Sequence, residues 1–274
     1  MSINLKNYNC EIKRLNLAIL NSKSNEAKAC YEEYFQALNN YLQDKEDNKM
    51  TNKDISDSIG YTNVPDSIVE FALSYTNLIE DDSEKETAFS LLFSLAQNFF
   101  DRAYYKTALS LFDIAKMIAT GKQKIDCTLS LALLYEEIGD ISKALSVLAE
   151  EVAGGRRLSI TQKEFNSKLH TLSARITLDN LTSENDENRR NPADYYIDEL
   201  KKCTTMIEIA IIQYEDNYEA FYIKGLIYEK QALYSNDAEA GSLYEKAIDE
   251  ISLLIEDIGD EDATEKNFYW KLLY

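Results

Sequence analysis

Proline is nearly missing from this chain: two of its 274 residues are Pro and eight are Gly. Sheet-rich folds need such residues at their many tight turns, so the scarcity excludes them and favours helices joined by short polar turns. Long apolar runs are missing too, and none approaches the roughly 18–20 residues needed to span a bilayer. The start, from Met1 to Tyr8, lacks the apolar stretch of a secretory signal, so a cytoplasmic protein is expected. The four cysteines (Cys10, Cys30, Cys127, Cys203) are far apart and form no CxxC pair. That spacing indicates neither a zinc site nor a redox motif and reads as small buried thiols in a reducing compartment.

Histidine occurs once, as His170, with no Ser or Cys beside it in a recognisable nucleophile pattern. Catalysis has little to rest on, and no enzyme activity is expected. Acidic pairs such as Glu245 with Asp249 and Asp257 with Glu261 have the spacing of a solvated helix face. They lack the regular oxygen-ligand order of a calcium loop, so no metal and no cofactor is expected. The run Gly154, Gly155, Arg156, Arg157 lacks the flanks of a phosphate loop and fits a helix C-cap followed by a turn.

Acid is what the chain has in excess: 48 acidic against 29 basic residues, a net charge of −19. Such a surface repels nucleic acid phosphates and anionic lipid. It attracts a basic protein, or it keeps the chain soluble. The hydrophobic share of 45% is that of a folded chain and excludes wholesale disorder.

Apolar residues fall at helical spacing along most of the length. Residues 7–20 carry Tyr8, Ile12, Leu15 and Ile19; residues 25–43 carry Ala27, Tyr31, Tyr34, Leu38, Tyr41 and Leu42. Leu15, Ala18, Ala27 and Tyr31 give this pair the look of a degenerate repeat. The charged stretch Asp44 to Asp54 reads as an exposed linker. Pro65 and Asp66 open a further helix with Ile68, Phe71, Ala72, Tyr75 and Ile79 on one face, and the acidic cluster Glu80 to Glu84 ends it.

The strongest pattern lies beyond. Ala96, Phe99, Ala103, Ala108, Phe112 and Ala115 return 36 residues later as Ala132, Tyr135, Gly139, Ala144, Leu148 and Glu151, with identical spacings. A period near 34 residues, with small residues where two helices touch, marks a helical-hairpin repeat. A third copy uses Leu169, Leu172, Ser173 and Ile176, then Cys203, Ile207 and Ala210. The polar run Thr182 to Pro192 splits it, and its second helix starts at Ala193. A fourth uses Phe221, Gly225, Tyr228 and Ala232, then Ala240, Tyr244 and Ala247. Asp262 to Tyr274 reads as a last helix closing the end with Phe268, Trp270 and Leu272.

The run Phe221-x-x-Lys224-Gly225-x-x-Tyr228 and the recurring Ala-x-x-x-Phe/Leu/Tyr steps resemble the tetratricopeptide repeat, W-x-x-L-G-x-x-Y…A-x-x-x-F…P. The likeness covers residues 89–255, and 7–80 only by analogy. Trp is replaced by Leu92, Thr128, Leu169 and Phe221, and the closing Pro is missing from every copy. The resemblance implies an all-α fold, a right-handed α-solenoid of antiparallel helix hairpins. Residues 1–80 would be an N-terminal helical segment and 81–274 the repeats with a capping helix.

In that family the inner surface is built from the first helix of each hairpin, on the side away from the second. Carried onto this chain, that face implies a peptide-binding groove of Phe93, Gln97, Phe100, Leu129, Leu133, Glu136, His170, Tyr222, Leu226 and Glu229. Ser90, Asp101, Asp126, Glu137, Ser167, Ala174 and Glu219 lie along it. The strip is apolar with an acidic edge, which suits a partner segment carrying hydrophobic anchors and Lys or Arg. The same side chains also suit packing against terminal helices or a second copy. The cationic clamp with which some family members hold a chaperone's C-terminal carboxylate is absent, since only Lys230 at the edge is basic. The expected function is a scaffold or an acidic chaperone holding a segment of another protein. The alternatives are a structural platform in a larger complex and a peptide-responsive regulator.

Overall fold

The computed structural model describes residues 14–15, 17–19, 24–43, 64–152, 158–183 and 193–258. Among them every regular element is an α-helix and no strand occurs. The helices are α1 (Ser24–Gln43), α2 (Val64–Thr76), α3 (Asp82–Phe100), α4 (Tyr105–Ile118), α5 (Lys122–Glu137), α6 (Ile141–Glu151), α7 (Ile160–Ser183), α8 (Ala193–Gln213), α9 (Tyr218–Tyr234) and α10 (Asp237–Ile258). Residues 14–15 and 17–19 are helical as well. The linker at 44–54, the turn at 154–157, the polar run over 184–192 and the closing helix at 262–274 lie outside the described residues. None of the described helices is long and apolar enough to cross a membrane.

The chain divides into two compact units, Met1–Ile138 and Gly139–Tyr274. Within the segment 1–80 that the sequence sets apart from the clear repeats, α1 packs on α3 and α2 on α4.

In the first unit α1 and α2 pack together through aromatic rings. Tyr31 lies 5.9 Å from Phe71, Tyr34 5.5 Å from Phe71 and Phe35 5.7 Å from Tyr75. Each fully buried aromatic of this size contributes roughly 1.5–3 kcal/mol of transfer free energy. Of the degenerate repeat expected between residues 7–20 and 25–43, residues 7–13, 16 and 20 lie outside the described residues. The stripe Tyr31, Tyr34, Phe35 needs a matching aromatic stripe, and α2 supplies it with Phe71 and Tyr75 one turn apart.

Helix α3 starts at the acidic cluster that the sequence reading takes as the end of the preceding helix. Asp81 caps it by accepting from the Glu84 backbone N–H at 2.9 Å, and Glu84 accepts from the Glu80 N–H at 2.9 Å. Asp82 and Glu84 in the first turn face the positive end of the helix dipole. The far end closes on a left-handed residue, Ala103, at φ 60°. Ala103 N–H donates to Phe100 O and Tyr104 N–H to Phe99 O, while the Phe99 and Tyr104 rings meet edge-on at 6.0 Å. This is the Schellman closure with its accompanying apolar contact.

The chain then returns as α4. Phe93 meets Phe112 at 5.5 Å and Phe100 meets Tyr105 at 6.0 Å, so α3 and α4 run antiparallel. Ala96, Phe99, Ala108, Phe112 and Ala115 of the repeated pattern are all buried between them. By contrast α1 and α3 run parallel: Lys28 pairs with Glu84 near their starts and Asn39 bonds Asn98 near their ends. Tyr105 on α4 donates to Glu137 at the end of α5 across 3.2 Å, which brings α5 antiparallel to α4.

In the second unit Asp140 caps α6 by accepting from Lys143 N–H at 3.1 Å, and α6 packs on α7. Helices α7 and α8 pair, and α8 starts at Ala193, where the sequence reading places it. Ala174, Leu178, Leu200, Cys203, Ile207 and Ile223 join in one apolar core. Tyr196 stacks on Tyr234 at 5.1 Å and binds α8 to α9. Asn217 caps α9 through Ala220 N–H and donates to Ser167 Oγ and Thr171 Oγ1, at 2.8 and 2.9 Å, so α9 starts beside the first half of α7. Helix α10 returns antiparallel along α9, with Ile251 against Gly225 and Lys246 over the Tyr228 ring at 5.8 Å.

Candidate functional site

The residues implied as a groove fall in both units. In the first, α3 carries Phe93, Gln97 and Phe100, and the adjoining α5 carries Leu129, Leu133 and Glu136. Phe93 stacks on Phe89 at 5.2 Å and stands edge-on to Phe112. Phe100 leans on Tyr105. Both rings are therefore half-buried against α4, the hairpin partner from which the implied groove face turns away. The exposed members of that face are Ser90 and Gln97 on α3 and Asp101 just beyond its end, all polar. Positions 93, 97 and 100 straddle the edge between core and solvent, and the apolar members fall on the core side. On α5, Leu129, Leu133 and Glu136 are half-buried.

In the second unit His170 lies on α7, and Tyr222, Leu226 and Glu229 lie on the adjoining α9. Tyr222 and Leu226 pack against the buried core of that unit, and Glu229 is exposed. Ser167 and Ala174, which flank His170 on the implied face, are fully buried. Ser167 and its neighbour Thr171 are occupied in anchoring the Asn217 cap, and Ala174 belongs to the core. Burial holds the His170 imidazole below its ordinary 6.5, which leaves the ring neutral at neutral pH.

A cleft that the sequence reading missed opens on the first unit, with a volume of about 510 Å³. Its floor is Leu15, Ala37 and Leu91. The rim consists of Glu32, Glu33, Gln36 and Asn40 on α1 and of Thr87 on α3. The α1 members recur at the spacing of one helix face, so a single stripe supplies most of the wall. Gln36 donates to Asn40 Oδ1 at 2.9 Å and holds the two amides in place. Glu32 Oε1 accepts from the buried Tyr75 hydroxyl at 3.0 Å. Burial, then the Glu32 charge and that hydrogen bond, push the Tyr75 phenol well above its ordinary value.

The seam below the cleft is fixed by a polar ladder. Asn98 Nδ2 donates to Asn39 Oδ1 at 3.0 Å, and Asn39 Nδ2 donates to Leu91 O at 3.1 Å. Arg102 closes the end, donating to Asn98 O at 3.0 Å and to Leu42 O. Both asparagines are buried, so these bonds orient α1 on α3 and leave no slack in their register. No spacing in the sequence pairs Ala37 with Leu91, because residues 44–63 break the repeat period between α1 and α3. The stripe Glu33, Gln36, Ala37, Asn40, with a small residue among polar ones, is the one signal that marks this face.

Among the described residues no three His, Cys, Asp or Glu side chains gather as a metal-ligand group. No protein-family model matches this chain, and no curated protein matches it either.

Proposed function

We propose that this chain is a tetratricopeptide-like repeat protein that holds a segment of another protein, as a scaffold or as an acidic chaperone. Its hairpins would continue as a right-handed α-solenoid. The observation that carries the reading is the repeated arrangement of first helices. Helix α1 runs parallel to α3 and α7 starts beside α9, and α3 and α9 each carry an antiparallel second helix, α4 and α10. Such stacking makes a surface wider than one hairpin from elements that carry no chemistry of their own. The net charge of −19 adds a preference for basic segments. Buried thiols at Cys127 and Cys203 fit a reducing cytoplasm.

The test is recovery of the chain with its bound proteins from the cells that make it, followed by affinity measurement over a salt series. A holder of basic segments returns a small, reproducible set of clients whose affinity falls as salt screens the charges. Affinity that is flat with salt removes the electrostatic part of the proposal. A chain recovered without any protein partner rejects the whole of it.

A further inference from the structure

We infer that the cleft between α1 and α3 is a docking site for a lysine or arginine side chain of a partner polypeptide. This rests on the protein-holding reading and assigns it a place and a chemistry. The volume of about 510 Å³ lies within the roughly 300–1,000 Å³ typical of ligand clefts. Leu15, Ala37 and Leu91 form an apolar floor, and Leu15 and Ala37 are nearly or wholly withdrawn from water within the fold. Glu32 and Glu33 stand on the wall, with amides and a hydroxyl around them, and none of the described lining side chains is a cation. Arg14 reaches Glu33 from outside at 3.6 Å, where both side chains are more than half exposed, so this pair is weak and displaceable.

An apolar floor under a carboxylate wall matches one kind of side chain best: a methylene stem ending in a cation. A purely aliphatic group would leave the carboxylates unused, and an acidic one would be repelled. Glu32 is held by Tyr75 and the floor by the asparagine ladder, so the cleft is organised before anything enters it.

The test uses the full 274-residue chain and fluorescein-labelled nine-residue peptides carrying lysines between small aliphatic residues. Matched peptides replace lysine with norleucine, which keeps the stem without the charge, with alanine, or with glutamate. The lysine peptide should bind, and each replacement should weaken binding at least tenfold. Glu33→Lys with Gln36→Lys, both at exposed positions, should lose at least tenfold while far-ultraviolet helicity is unchanged. The same charge change on α10, Glu245→Lys with Asp249→Asn, should cost less than threefold and so accounts for the general effect of net charge. Equal loss in the two double variants, or norleucine binding as well as lysine, overturns the inference. So does an absence of lysine-peptide binding. If a natural client is recovered and still binds the Glu33→Lys, Gln36→Lys chain, the holding function stands and this site for it falls.

Discussion

Ala103 and Gly139, equivalent positions of the two clearest sequence repeats, both take the left-handed backbone conformation, with φ of 60° and 81°. The pattern requires a small residue there because the chain reverses, not because two helices touch: both side-chain positions are exposed. An L-residue pays roughly 1–2 kcal/mol in this region, partly offset when glycine replaces it by the greater freedom glycine has unfolded. Ala103→Gly should therefore stabilise the first unit by about 0.5–1 kcal/mol. A β-carbon built on Gly139 meets nothing within 4 Å, so Gly139→Ala should cost a similar amount through backbone strain alone. Urea titrations followed by helicity measure both, and a destabilising Ala103→Gly would show that the Phe99–Tyr104 closure tolerates no change of backbone.

The buried ladder between Asn39 and Asn98 should behave as one unit. A net hydrogen bond contributes about 0.5–1.5 kcal/mol, but an orphaned buried amide costs about 1–3 kcal/mol. Asn39→Ala and Asn98→Ala should each destabilise by about 1–3 kcal/mol, and the double variant by clearly less than their sum. Strict additivity would mean that the two amides do not depend on each other.

These cases show what was legible. The hairpin α3–α4 could be read because Ala96, Phe99, Ala108 and Phe112 recur at fixed spacing, and a buried interface needs that alternation of size. The α1–α2 pairing was hidden. An aromatic stripe such as Tyr31, Tyr34, Phe35 announces burial without naming its partner, and residues 44–63 interrupt the period. Phe93 and Phe100, which the sequence places on the groove face, also pack on rings of α4 and stay half-buried. The cleft itself depends on a lateral contact of α1 with α3 that no local pattern encodes.

Among the described residues one deeply buried thiol lies in each compact unit: Cys127 on α5 and Cys203 on α8. Burial pushes both up to about 12, so neither presents a reactive thiolate at pH 8. In a chain with Cys10 and Cys30 replaced by serine, maleimide should label them only as fast as their units open. Their two rates, read by mass spectrometry, then report the opening of each unit separately. Rapid labelling of either in the native chain would contradict its burial.

His170 gives stability a defined pH dependence. Its folded pKa is lowered by burial, so below the unfolded value of 6.5 the unfolded chain binds a proton that the folded chain does not. Stability from this residue is fully present above pH 6.5 and falls with pH below it, by at most about 1.4 kcal/mol per pH unit. His170→Gln should flatten the decline of unfolding free energy between pH 7 and 5 relative to the parent chain. Parallel curves for the two proteins over that range would show that the imidazole titrates alike folded and unfolded.

Gly225 tests close approach between helices. A β-carbon there would stand 3.0 Å from Ile251 Cγ1, 3.2 Å from its Cδ1 and 3.5 Å from Ala247 O. Alanine adds helix propensity worth about 1 kcal/mol and meets chiefly a movable side chain, so Gly225→Ala should be nearly neutral. Leucine cannot be absorbed in this way. Gly225→Leu should push α10 from α9 and cost about 1–3 kcal/mol or more. Adding Ile251→Ala opens the space that leucine needs, so the double variant should recover part of the loss although Ile251→Ala alone destabilises. If the second substitution deepens the loss instead, the closeness of α9 and α10 at this point is not what the glycine provides.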